Sequence, residues 1–217
     1  MLLASQTRIM FGYCAVALAL ALSPLSARAQ DATSAQGFVQ SNVQNALAIL
    51  QDGSAATDQR RERIHTLLSS LLDAQRIATY TLGPAAANAN PADLAAYTDA
   101  FREFLIANYD YGLSQYSGET LNVLGATQHG PGDFIVSGVI VDPSGSANGK
   151  VPPEVDFRIL YENGKYFIVD ANVKGVWLSE AQREGFQSFL RDHNNDVAAL
   201  TAHLKDMTES MRRTAAK

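Results

Sequence analysis

Cysteine is almost absent from this sequence of 217 residues: the only one is Cys14, inside an apolar run near the N-terminus. A single cysteine cannot form an intramolecular disulfide, and it cannot by itself supply the thiolates of a structural zinc or iron–sulfur site. The fold must therefore depend on its apolar core. Hydrophobic residues make up 47% of the chain and charged residues 18%, which is enough for a packed domain.

Basic residues are also in the minority, with 17 Lys and Arg against 22 Asp and Glu, for a formal charge of −5. Proteins that bind nucleic acid usually carry a basic stripe, so we expect no nucleic-acid partner. The sequence contains no G-x-S-x-G, P-loop, G-x-G-x-x-G or H-E-x-x-H motif. None of the four histidines has a partner at metal-ligand spacing. We therefore predict no catalytic residues, no metal and no cofactor, and a protein that is not an enzyme.

The first 29 residues have the three parts of a signal peptide. Arg8 precedes an apolar run at 9–22, and Ala27-Arg28-Ala29 provides an A-x-A cleavage site. The alternative is an N-terminal anchor helix, but the run is short for a membrane span. We predict export to the periplasm with cleavage after Ala29. Residues 30–211 would then form a single domain, with 212–217 as a frayed tail.

Apolar residues in the first half of the mature chain recur every three or four positions, which predicts helices. The pattern covers residues 43–50 and 64–71, and a third helix is expected over 73–82. The small residues at 85–90 predict a loop. Asn90-Pro91 then combines a good N-cap residue with a proline at the first helical position, which predicts a long helix ending near Gly118. This helix carries the richest aromatic face of the chain.

The second half begins with the periodicity of strands. Four are predicted, at residues 119–128, 133–141, 155–161 and 165–173. Asn163-Gly164 between the last two is the strongest short signal for a β-hairpin. Short turns between consecutive strands predict an antiparallel meander, and hence an α+β fold. Ser179 and Gln182 have the spacing of a capping box for a following helix, and a last helical pattern runs from Val197 to Met211.

The hairpin turn fixes a register for the last two strands. It pairs Tyr161 with Tyr166, Ile159 with Ile168, and Phe157 with Asp170. The register therefore places the Asp170 carboxylate on an apolar face. One interpretation is a general base in a cone-shaped α+β enzyme. The other is a structural carboxylate held by Arg183 or by nearby backbone N–H groups, because a buried carboxylate must be paired, hydrogen-bonded or neutral. We favour the structural interpretation, since the sequence places no second titratable group beside Asp170.

Several segments together resemble the MlaC family, also called the toluene-tolerance family. The resemblance is carried by residues 100–105, 155–158, 163–170 and 172–178, with the sequences AFREFL, VDFR, NGKYFIVD and NVKGVWL. It implies helices packed on a strongly twisted four-stranded antiparallel sheet that encloses a deep apolar pocket. Members of the family are the periplasmic phospholipid-binding component of the Mla pathway.

The resemblance also implies a function and partners. The protein would carry phospholipid between the outer and inner membranes, as the soluble component of a system that maintains lipid asymmetry in the outer membrane. Its partners would be an inner-membrane Mla-type ABC transporter and an outer-membrane lipoprotein–porin complex. The chain has Phe157 and Tyr166 where the family often has tryptophan. The alternative cargo is therefore a hopanoid or another apolar lipid.

The residues expected to contact lipid lie on the aromatic helix and on the apolar face of the sheet. They are Phe101, Leu105, Tyr109, Leu113, Val136, Phe157, Ile159, Tyr166 and Ile168. Asp170 and Arg183 are expected to be structural polar residues.

Overall fold

The structure is a computed structural model that describes residues 31–114, 116–143 and 152–215, with the side chains of 113, 114 and 215 left undescribed. The predicted signal peptide, most of the loop after Val141 and the last two residues lie outside this part of the chain. Within the described residues, no helix is long and apolar enough to cross a membrane.

Four helices come first: α1 (Ala32–Leu50), α2 (Thr57–Leu71), α3 (Ala74–Leu82) and α4 (Ala85–Asn88). Helical periodicity predicted the first three, but α1 and α2 begin earlier than the patterns at 43–50 and 64–71. The loop predicted at 85–90 is wrong, because its first four residues form the single turn of α4. Alanine is the strongest helix former, and Ala85 is buried against the neighbouring core.

The long helix α5 (Pro91–Ser114) begins where the sequence predicts, with Asn90 Oδ1 accepting a hydrogen bond from the Asp93 amide at 2.9 Å. It ends four residues before Gly118. The backbone N–H of Ser117 donates to the Glu119 carboxylate at 2.8 Å, instead of to a carbonyl one turn back in a helix. This side-chain bond is a local alternative to helix continuation.

A single antiparallel sheet follows, with its strands in sequence order: β1 (Thr120–Gly130), β2 (Asp133–Val141), β3 (Glu154–Glu162), β4 (Lys165–Val173) and β5 (Val176–Trp177). The meander is as predicted, but it has five strands rather than four. The extra strand folds back on β4 through Lys174 and Gly175, which both have positive φ, at 54° and 86°.

The register of β3 and β4 is correct near the turn and wrong beyond it. Tyr161 pairs with Tyr166 and Ile159 with Ile168, as predicted. The register then shifts by one residue, so that Asp170 lies opposite Arg158 and not opposite Phe157, which pairs with Ala171. A bulge of this kind leaves one residue unpaired and moves the following side chains relative to the partner strand.

The chain ends with α6 (Leu178–Asp192) and α7 (Val197–Ala215). The capping box predicted at Ser179 is absent, since the N-cap residue of α6 is Trp177 and the Ser179 hydroxyl donates to Asp170. Residues 212–215, expected to fray, are helical, and Arg212 forms an ion pair with Glu103 of α5.

The described residues form two separate apolar clusters. The helix core joins α3, α5, α6 and α7, and its largest buried side chains include Tyr97, Phe101 and Phe104. The sheet core lies where α1 packs on β1 and β2, and it consists of Ala35, Val39, Phe134, Val136 and Ile159. Helix α5 packs mainly on α3 and α7, which leaves space between α5 and β4.

Two cavities between the long helix and the sheet

The space between α5 and the sheet takes the form of two adjoining cavities. The first, here called the α2–α5 cavity, has a volume of about 320 Å³. The second, the α5–α6 cavity, has a volume of about 330 Å³. Leu72, Leu105 and Tyr109 belong to the walls of both. The cavities therefore share a wall, and small movements of its side chains would join the two cavities.

The walls are mostly aliphatic and aromatic. The α2–α5 cavity is lined by Leu68, Ser69, Leu72, Asp73, Ala74, Gln75, Arg102, Leu105, Ile106, Tyr109 and Phe167. The α5–α6 cavity is lined by Leu72, Ile77, Phe101, Phe104, Leu105, Asn108, Tyr109, Ile168, Asp170, Ala171, Leu178, Ser179 and Gln182.

The inner wall of the α5–α6 cavity is held in place by the helix core. The Phe101 and Phe104 rings each meet the Phe186 ring edge-on, with centroids 6.4 and 6.2 Å apart. All three side chains are almost completely buried. Edge-to-face contacts of this kind add to the burial of the rings, so this side of the cavity is rigid and apolar.

The α5–α6 cavity also has polar groups in its lining, which range from the exposed Asn108 to the buried Ser179. Leu178 in the same lining is 48% exposed. Asp170 Oδ1 accepts hydrogen bonds from the backbone N–H groups of Ala171 at 2.8 Å and Ser179 at 3.0 Å. The Ser179 hydroxyl donates to Asp170 Oδ2. Asp170 thus ties β4 to the first turn of α6.

Arg183, expected to be a structural polar residue beside Asp170, binds elsewhere. Its guanidinium lies 4.8 Å from the centre of the Tyr80 ring, a cation–π contact between α6 and α3. The Tyr80 hydroxyl donates to Glu180. Asp170 is held by backbone N–H groups and Ser179 rather than by Arg183.

Polar and charged side chains of α2 and α5 form contacts beside the α2–α5 cavity. Nε2 of His65 on α2 lies 2.7 Å from Oδ1 of Asp110 on α5, and Nε of Arg61 lies 3.5 Å from the same oxygen. Arg102, which lines this cavity, forms an ion pair with Asp99 one turn earlier on α5, at 2.9 Å. The two contacts at Asp110 link α2 to α5, whereas the Arg102–Asp99 pair lies within α5.

Four of the nine residues predicted to contact lipid line the cavities. Phe101 and Ile168 face the α5–α6 cavity, and Leu105 and Tyr109 face both. Tyr109 is 37% exposed, yet the surrounding protein desolvates its hydroxyl and raises its pKa. Part of its accessible surface is thus cavity wall rather than open surface.

The structure does not bring four others to either cavity. Val136 and Ile159 belong to the sheet core and are fully buried. Phe157 and Tyr166 pack against the same core, and the Tyr166 ring lies 5.2 Å from that of Phe38 on α1. The side chain of Leu113 lies outside the described residues.

Several lining residues were not predicted. Phe104 and Asn108 lie on the same face of α5 as Phe101 and Leu105, and the helical spacing alone could have identified them. No such spacing identifies Leu72 and Ile77, because the bend between α2 and α3 brings them to the cavity wall. There Leu72 forms a bridge with Ile168 of β4.

Titratable side chains are too dispersed for a metal centre. Among the described residues, no three His, Cys, Asp or Glu side chains lie close enough together to hold a metal ion. Among the residues that line the α5–α6 cavity, Asp170 is the only one with a carboxylate.

The fold and these cavities define an α+β protein with apolar space between its longest helix and an antiparallel sheet. A family model described as MlaC protein matches residues 40–206. The match spans most of the sequence, so the chain belongs to the MlaC family.

A solved structure has the same fold. It is a phospholipid-binding protein from Ralstonia solanacearum, described in complex with a phospholipid. The two structures superpose with a TM-score of 0.68 at 20% sequence identity, over 82% of this chain and 98% of the other. At this identity the likeness concerns the fold.

Proposed function

We propose that this protein is a lipid carrier that holds the acyl chains of a phospholipid in the α2–α5 and α5–α6 cavities. The single observation that carries the proposal is the pair of adjoining, mainly apolar cavities between α5 and β4. Membership of the MlaC family and the phospholipid complex of the Ralstonia protein support the same assignment. In this proposal the protein binds and releases its ligand without chemical change.

The physical basis is the removal of acyl chains from water. Each methylene group buried in an apolar environment contributes about 0.8 kcal/mol. Phe101, Leu105, Tyr109 and Ile168 are the proposed contacts, together with Phe104. Ile168 also packs against the sheet core, so it would separate a bound chain from Phe157 and Tyr166.

The cavities are small for a lipid with two chains. Each lies near the lower end of the roughly 300–1,000 Å³ typical of small-molecule sites. Uptake would therefore join the two cavities at Leu72 and Leu105, and would move α2 away from α5. The contacts of Asp110 with His65 and Arg61 join these helices and would have to rearrange in this movement.

The proposed setting is the periplasm. The signal peptide predicted at 1–29 would export the chain. The carrier would then shuttle lipid between an outer-membrane lipoprotein–porin complex and an inner-membrane Mla-type ABC transporter. A hopanoid or another apolar lipid is the alternative cargo.

The first experiment is to express the full chain with its own signal sequence, purify it without detergent, and identify bound lipid by mass spectrometry after denaturation. We expect phospholipid in a stoichiometric amount. A hopanoid would favour the alternative cargo, and a protein empty of lipid that also takes up none from vesicles would contradict the proposal.

A matched pair of variants ties the lipid to the cavities. Leu105→Trp adds volume to a side chain that lines both cavities, and should reduce bound lipid several-fold. Leu124→Trp makes the same change on β1, at a side chain that is 60% exposed, and should leave bound lipid unchanged. Equal lipid content in the two folded variants would place the lipid elsewhere.

A further inference from the structure

The lining of the α5–α6 cavity carries one charge, the half-buried Asp170 carboxylate. The neutral groups beside it are Asn108, Ser179 and Gln182. The opposite wall, which contains Phe101 and Phe104, is apolar and buried. If acyl chains occupy the apolar part, as proposed above, a lipid whose head group enters at this cavity brings its polar part close to Asp170.

Asp170 also occupies part of the N-terminal end of α6, which would otherwise attract an anion. The first backbone N–H groups of a helix lack partners within the helix and readily bind phosphate. In α6 the N–H of Ser179 is already bonded to Asp170 Oδ1, and the Ser179 hydroxyl is bonded to Oδ2. A lipid phosphate would therefore meet a carboxylate instead of free donors.

The nearby cations are committed to other acidic groups. Arg158 lies opposite Asp170 across the strand pair and is attracted by its charge, but the guanidinium donates its hydrogen bonds to the Asp133 carboxylate, at 2.8 and 3.2 Å. Arg102, in the other cavity, is paired with Asp99. Neither guanidinium lines the α5–α6 cavity.

The Asp170 carboxylate retains capacity to accept a hydrogen bond. A carboxylate has about four acceptor positions. Three are used by the two backbone N–H groups and the Ser179 hydroxyl. A ligand that donates a hydrogen bond, above all an ammonium group, can use the remaining position.

From this geometry we infer that Asp170 determines lipid selectivity: the cavity takes lipids whose polar group carries an ammonium donor and no net negative charge, and it disfavours anionic lipids. The inference rests on the proposed carrier function and specifies its ligand class.

The test is a competition between two phospholipids with identical acyl chains, phosphatidylethanolamine and phosphatidylglycerol. The protein is loaded from mixed micelles that contain equal amounts of both, and the bound lipids are quantified by mass spectrometry. We expect at least about threefold enrichment of phosphatidylethanolamine, the size of effect that one partly shielded charge can produce.

The variant Asp170→Asn tests the effect of the charge on lipid selectivity, because it removes the charge and keeps the hydrogen bonds. Its amide oxygen can still accept from Ala171 and Ser179, and its NH₂ group can donate to the Ser179 hydroxyl, so the first turn of α6 keeps its partners. The bound-lipid ratio should move towards one, mainly through a gain of phosphatidylglycerol. The control is Glu184→Gln, which removes the same charge from an exposed position on α6 outside the cavity lining. It should keep the wild-type ratio.

Two results would overturn the inference while leaving the carrier function intact. One is a wild-type protein that takes up phosphatidylglycerol as readily as phosphatidylethanolamine, which decides the question even if Asp170→Asn does not fold. The other is a folded Asp170→Asn variant with an unchanged ratio. A wild-type protein that takes up neither lipid would instead contradict the carrier function itself.

Discussion

His65 on α2 and Asp110 on α5 form a direct contact between the two helices, with Nε2 and Oδ1 2.7 Å apart. Their side chains are only 19% and 12% exposed, so the contact is partly shielded from water. It connects two helices that the cavity otherwise separates. We expect this contact to hold α2 in place over the cavity.

Removing the imidazole should loosen α2. A hydrogen bond to a charged group contributes about 1.5–3 kcal/mol when shielded, and part of that should remain at this exposure. We predict that His65→Ala increases amide hydrogen exchange in α2 and speeds the exchange of bound lipid several-fold. Thr66→Ala is the control, because its hydroxyl bonds only to the Glu62 carbonyl of the same helix. Equal α2 exchange in both variants would show that the contact does not restrain the helix.

Phe186 is the centre of the helix core. Its ring meets those of Tyr97, Phe101 and Phe104 at centroid distances of 6.4, 6.4 and 6.2 Å. Phe186→Ala should lower the free energy of unfolding by about 3–5 kcal/mol, through lost burial and an unfilled cavity. Chemical denaturation measures this directly. A loss below about 1 kcal/mol would mean that the surrounding rings collapse into the space and that the cavity wall is not rigid.

Sequence periodicity and turn residues predicted most elements of this fold. Asn163-Gly164 fixed the β3–β4 hairpin, and Asn90-Pro91 fixed the start of α5. The bulge after Ile159 could not be predicted, because it depends on a contact made after the chain folds. In the shifted register, Asp170 also contacts the first turn of α6 through Ser179.

Only part of the candidate site could be predicted from the sequence, for a similar reason. Periodicity identified Phe101, Leu105 and Tyr109 as one face of α5, and this face lines the cavities. It could not show which layer covers each apolar residue of the sheet. Val136 and Ile159 are covered by α1, whose position depends on long-range packing.

The buried tyrosine of the helix core should make the protein sensitive to alkali. Burial raises the pKa of Tyr97, while its hydrogen bond to Thr81 at 2.9 Å lowers it slightly. The unfolded chain therefore loses this proton near pH 10, whereas the folded protein retains it to higher pH. Its contribution to stability is complete below pH 10 and is lost as the pH rises through the folded-state pKa.

Tyr97→Phe tests this pH dependence. At neutral pH the variant should lose about 1 kcal/mol, since the Thr81 hydroxyl still bonds to the Ala78 carbonyl. Above pH 10 the wild-type free energy of unfolding should fall more steeply than that of the variant, by up to about 1.4 kcal/mol per pH unit. Urea denaturation between pH 8 and 11 measures both slopes. Parallel slopes would contradict the assignment to Tyr97.

The tight turn between β1 and β2 provides a comparison of two glycines. Gly132 has a φ of +71°, and a Cβ there would lie 2.7 Å from the Tyr161 carbonyl oxygen. Its own carbonyl accepts a hydrogen bond from the Tyr161 N–H at 2.7 Å, so the two backbones cannot separate without losing this bond. Gly132→Ala should therefore lower the free energy of unfolding by about 2–3 kcal/mol, through positive φ and steric contact together.

Gly130, two residues earlier, is the matched control. A Cβ there would meet nothing within 4 Å, and its φ is outside the left-handed region. Gly130→Ala should change stability by less than about 1 kcal/mol, because only the conformational freedom of the unfolded chain is altered. The urea midpoints of the two variants compare their stabilities when the denaturation slopes are equal. If both variants lose the same stability, the cost lies in the turn as a whole and not in the approach of Gly132 to Tyr161.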